Sequence, residues 1–124
     1  MSLKKSESNN MDLKTVVKDR GKLGELVLVS GDFNILHPGH IRLLRFAKEC
    51  GDYLVVAVNA DILIKNPNYN NESHRADMVS SLDFVDYCFI SELEIHELIC
   101  TVKPAIVVKG KEFEGKSNPE ETAL

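Results

Sequence analysis

"LVLVSGDFNILHPGHIRLLRFAKEC", residues 26–50, passes from an unbroken apolar run through a glycine into a stretch where apolar residues return at helical spacing. A run that is apolar at every position, rather than at alternate ones, is a strand covered on both faces. Leu43, Leu44, Phe46, Ala47 and Cys50 then fall on one side of a helix, which Gly51 closes. The same alternation repeats down the chain. "YLVVAVN" (53–59), "VDYCFI" (85–90) and "AIVVKG" (105–110) read as three more buried strands. Between them, residues 74–82 place Ala76, Met78, Val79 and Leu82 on one helical face. Ser91 with Glu94 forms a capping-box signature ahead of Ile95, Leu98, Ile99 and Val102. Asn118, Pro119 and the acidic pair after them look like the start of a further helix. Apolar strands separated by helices predict an α/β fold: an open, doubly wound, Rossmann-like parallel sheet in three α/β/α layers. Ligands are expected at the carboxyl ends of its strands.

The 124 residues suffice for one domain with a real core and are too few for two ordinary ones. The opening "MSLKKSESNN" is polar and lacks the apolar stretch of a signal peptide. Residues 1–20 therefore read as a polar lead-in with a short helix, and 21–124 as the domain, expected in the cytoplasm. No apolar run has the length that crosses a bilayer, so no membrane association is expected. Cys50, Cys88 and Cys100 are odd in number and lack C-x-x-C spacing, which opposes a disulfide framework and a zinc cluster and suits buried, reduced core thiols. A net charge of −4 offers no basic surface to a nucleic-acid backbone. A small anion held by a few local cations remains open.

Two of the four histidines, His37 and His40, flank Pro38-Gly39 where the first strand ends. Proline suits the first turn of a helix, because its missing N–H would have no partner there. The helix start should present free backbone N–H groups and the positive end of the dipole, an anion site to which two imidazoles add donors. Gly39 opens room for close approach, and Gly31 permits the tight strand-to-helix turn. A metal reading lacks a third ligand at any obvious spacing. His74 and His96 each stand alone and read as structural. No G-x-G-x-x-G follows any strand, which sets a dinucleotide oxidoreductase aside.

"GDFNILHPGHIRLL" (31–44) resembles the H-x-G-H signature of the cytidylyltransferase-like nucleotidylyltransferases. "AKECGDYLVVAVNAD" (47–61), "HRADMVSSLDFVDYCFI" (74–90) and "KPAIVVKGKEFEG" (103–115) are similar, in the same order, to later blocks of its sugar-phosphate members. The heptose-phosphate branch is the nearer and the glycerol-phosphate branch the next, and the likeness runs over residues 25–121. It implies an enzyme that transfers a nucleoside monophosphate from ATP or CTP, with Mg²⁺, to a sugar or polyol phosphate and releases pyrophosphate. The product would serve lipopolysaccharide core or other cell-surface sugar biosynthesis, and a homodimer is implied.

By the same resemblance His37 and His40 bind phosphate, with Lys65 and Arg75 also in the catalytic set; for Arg75 this function is favoured over the alternative, a solvated place at a helix start. Gly31, Asp32, Phe33 and Gly39 match the turn that faces the nucleotide, and Lys109 and Gly110 lie at a strand end where nucleotide or substrate would sit. Asn34 and Asp61 fall on the substrate side, Asp61 either bonding a ribose or capping the next helix. Asp32 stands where the family usually has Cys or Thr, and Asn34 where it has Asp; relatives also continue past this chain's end into a further strand and a Ser/Thr-rich turn. The chain is thus expected to be a fragment of a longer, bifunctional enzyme. A non-catalytic nucleotide-binding module is the competing class.

Overall fold

Strand β1 (Leu26–Gly31) is buried almost throughout because helices cover both of its faces. The computed structural model describes residues 13–22 and 24–109. Helix α1 (Leu13–Asp19) precedes β1. After β1 come α2 (Pro38–Cys50), β2 (Tyr53–Asn59), a 3₁₀ turn (Asp61–Leu63), α3 (Glu72–Ser80), β3 (Tyr87–Ser91), α4 (Ile95–Val102) and the short β4 (Ile106–Val107). The described strands form one parallel sheet in the order β3-β2-β1-β4. Val27, Val29, Leu54, Val56 and Val58 turn to one face, where Leu44, Ala47, Ala76 and Val79 meet them. Leu26, Leu28, Tyr53, Val55 and Ala57 turn to the other, against Val16, Leu98 and Val102. Side chains alternate across a strand, so two apolar layers demand apolar residues at every position.

The chain steps outward from β1 to β2 to β3 and then returns to the far side of β1 for β4. Open α/β sheets bind ligands at such a reversal, beyond the carboxyl ends of the strands, here β1 and β4.

Several element details differ from the sequence expectation. Phe46 is 59% exposed. It lies two residues, about 200° of helical turn, from the buried Leu44. Leu43 and Cys50 only edge the core, and Met78 is half-buried. Gly51 caps α2 as expected, in an extended conformation (φ −151°, ψ −154°). It is required by space, since a Cβ there would stand 2.6 Å from Val27 Cγ2 and 3.0 Å from the Glu25 carbonyl oxygen. Ser91 belongs to β3, where its Oγ accepts from the Leu93 N–H, and α4 begins after Glu94 with no side-chain cap. Helix α3 begins two residues early, because Asn71 Oδ1 accepts from the His74 N–H. Of the free cysteines, Cys88 is buried, Cys50 half-buried and Cys100 exposed. The helix start at Asn118 lies outside the described residues.

Helix α1 contributes Val16 to the second layer, and Arg20 after it donates to the Val102 carbonyl at 2.9 Å. Among the described residues no helix is long and apolar enough to cross a membrane.

Candidate functional site

The chain leaves β1 through a turn in which Phe33, not Gly31, takes the left-handed conformation (φ 50°). A side chain in that region costs about 1–2 kcal/mol. Burial of the Phe33 ring offsets it, since full burial of such a side chain contributes about 1.5–3 kcal/mol, and only 3% of Phe33 is exposed. The ring also meets His40 edge-on, with centroids 5.7 Å apart.

His37 is the N-cap of α2. Its Nδ1 accepts from the Gly39 N–H at 3.1 Å, and His40 Nδ1 accepts from the His37 N–H at 3.3 Å. The two rings lie 3.9 Å apart at 32°. Because both Nδ1 atoms accept, each neutral ring carries its proton on Nε2, on the side away from the cap. The helix start differs from expectation in its amides. Gly39 N–H is held by His37 Nδ1, while the His40 and Ile41 N–H groups bond the His37 carbonyl at 2.9 and 3.2 Å. What this terminus offers an anion is therefore imidazole N–H and the helix dipole. Gly39 makes room for protein rather than ligand: a Cβ would stand 2.9 Å from His37 Cε1.

Behind this turn sits Arg75, on α3, with its side chain wholly enclosed. Nη1 donates to the carbonyls of Asp32 (2.8 Å) and Asn59 (2.7 Å), and Nε to that of Asn70 (2.8 Å). Nη2 pairs with Asp61 Oδ1 at 2.8 Å. Arg75 is thus not a solvated residue at a helix start. Nor does Asp61 cap a helix: it is the first residue of the 3₁₀ turn, after Ala60, and its own N–H donates to Glu72 Oε1. Asp32 Oδ1 accepts from Asn59 Nδ2 at 2.7 Å, which fixes that carboxylate against the end of β2. Asn34 binds Asn70 twice, its Oδ1 accepting from the Asn70 N–H and its carbonyl from Asn70 Nδ2.

The structure thus joins His37 with His40, and Asp32, Asn34 and Asp61 through Arg75 and Asn70. Lys65 is exposed on the loop between the 3₁₀ turn and α3, and Lys109 is half-buried just past β4, the strand that pairs with β1. Gly110 lies outside the described residues. Sequence reasoning missed Asn59 and Asn70. Asn59 carried a signal, a lone amide ending an otherwise apolar strand; Asn70 sat in an asparagine-rich loop that gave none. Among the described residues no three His, Cys, Asp or Glu side chains converge as a metal cage.

Comparison with known proteins places this geometry among relatives. A family model described as cytidylyltransferase-like matches residues 28–121. The bifunctional protein HldE of Nitratiruptor sp. is 41% identical over 112 residues, covering 85% of this chain and 24% of the relative. That of Aliarcobacter butzleri is 41% identical over 128 residues, covering 93% and 27%. The chain therefore spans about a quarter of the length of these curated relatives. The crystal structure of a lipopolysaccharide core biosynthesis protein from Thermoplasma volcanium is 32% identical, with a TM-score of 0.60, over 82% of this chain and 90% of that one.

Proposed function

Because the chain belongs to the cytidylyltransferase-like family, we propose that it transfers a nucleoside monophosphate from ATP or CTP to a sugar phosphate of the heptose 1-phosphate kind. The observation that carries the proposal is the reciprocal cap of His37 and His40, which holds both imidazoles together at a helix N-terminus after β1, each Nδ1 engaged as an acceptor. An oxygen of the acceptor phosphate attacks the α-phosphorus in line. The bond to the β-phosphate oxygen breaks, and pyrophosphate leaves with the electron pair. The attacking oxygen is already anionic, so no general base is needed.

The protein's task is to bring two anions together and to stabilise charge on the transferring and leaving groups. His37 and His40 donate to phosphate oxygens, and Lys65 and Lys109 add positive charge from the loops after β2 and β4. The Asp32 carboxylate is held back by Asn59, and Arg75 bonds the Asp32 carbonyl, which tempers repulsion of the triphosphate. Mg²⁺ bound to the triphosphate oxygens would neutralise further charge; among the described residues no side chains converge as a cage of their own. Similarity to the HldE proteins and to the Thermoplasma protein supports a place in lipopolysaccharide core sugar synthesis. The reading places the enzyme in the cytoplasm, where the nucleotides are, as a homodimer.

Pyrophosphate release on a panel of sugar and polyol phosphates tests the reading. The expected result is turnover with a heptose 1-phosphate, falling about 10²- to 10³-fold in His40→Ala. Turnover with none of the panel contradicts it.

A further inference from the structure

Resting on the nucleotidyl-transfer reading, we infer that Arg75 is a positioning residue: it locks the loop carrying Lys65 to the histidine turn and so sets the reach of Lys65 toward the triphosphate. A fully enclosed guanidinium touches no substrate. Its four hydrogen bonds go to chain segments that diverge at the site: Asp32 just after β1, Asn59 at the end of β2, and Asp61 and Asn70 near the two ends of the following loop. Asn70 carries the link onward with its two bonds to Asn34, three residues before the cap at His37. The 61–70 loop is therefore fastened at both ends to the frame that holds His37 and His40, with Lys65 between the fastenings.

Burying a cation is unfavourable unless its hydrogen bonds are met, and a planar fork alone can meet four acceptors set around it. A core position that only filled space would be better served by an apolar side chain. Lysine keeps the charge but presents its donors from a single nitrogen, so Arg75→Lys should loosen the frame without removing the cation.

The test is a double-mutant cycle on the 124-residue chain, read as the Kd of its preferred triphosphate with Mg²⁺ by isothermal titration. Lys65→Ala is expected to weaken binding about tenfold, the scale of one charged contact. Arg75→Lys should weaken it by a similar factor, and the double variant should be no weaker than the poorer single one by more than about twofold. Asn70→Ala, which removes the Nδ2 bond to the Asn34 carbonyl and leaves the backbone N–H bond to Asn34 Oδ1, loosens the link outside the core; it should couple to Lys65→Ala in the same direction and decides the matter if Arg75→Lys does not fold. Effects that multiply, to about a hundredfold in the double variant, overturn the inference and leave the nucleotidyl-transfer reading standing. An unchanged Kd in Arg75→Lys or Asn70→Ala overturns it equally. Failure of the unaltered chain to bind either triphosphate removes that reading and the inference with it.

Discussion

On the proposed reading His37 has two separable duties, one on each ring nitrogen. Nδ1 caps α2, and Nε2–H would donate to an anion. Asparagine is among the best N-caps, whereas alanine in a capping position costs about 1 kcal/mol. His37→Asn should therefore keep the urea midpoint of the unaltered chain and His37→Ala should lower it, while both lose triphosphate affinity alike in titration. Gly39→Ala separates the duties differently. Its Cβ would press on the His37 ring, so binding should fall at least tenfold, since a misplaced donor loses about 1.4 kcal/mol or more. Tyr87 supplies a residue-scale test of pH. Burial pushes its hydroxyl above the ordinary tyrosine range, with Asp19, Tyr53 and Asp86 adding to the shift. The unfolded chain then loses that proton first. The stability tied to Tyr87 is whole below the ordinary tyrosine value and drains away as pH rises through the higher folded one. Urea unfolding at alkaline pH should show this loss, and Tyr87→Phe should flatten it.

At the scale of elements, the joints between helices and strands depend on contacts that pattern alone does not reveal. Asp86 Oδ2 accepts from the Leu54 N–H at 2.8 Å and from Lys48 Nζ at 2.6 Å, tying α2 and the start of β2 to the approach to β3. Asp86→Ala leaves the Leu54 N–H without its partner and should cost about 1–3 kcal/mol in urea unfolding. The strands were legible because burial on both faces demands unbroken apolar runs such as Leu26–Val29 and Tyr53–Val58. Helix faces were legible less finely: Leu44 and Ala47 are buried, but Phe46 stands in solvent. Terminating residues misled where two physical reasons share one residue type. Gly51 does close α2, but the glycine is there for its close approach to Val27 and Glu25. Ser91 looked like a cap and is the end of a strand.

For the whole molecule, a doubly wound parallel sheet followed from the alternation of elements, and the order β3-β2-β1-β4 puts its switch point at the pair of strands whose loops carry His37, His40 and Lys109. The histidines were legible because Pro38 and Gly39 mark a helix start. What could not be read is what depends on three-dimensional enclosure. An arginine reads as solvated unless its acceptors are known, and those of Arg75 come from four separate stretches of chain. The amides of the first turn look free in any sequence, yet here His37 occupies all of those at Gly39, His40 and Ile41. Isothermal titration of the chain with ATP and with CTP, each with Mg²⁺ and each repeated in His37→Asn, tests the central claim most directly. The account predicts that one triphosphate binds and that His37→Asn, folded as stably as its parent, loses it. Binding unchanged in His37→Asn, or no binding of either triphosphate by the parent, would contradict it.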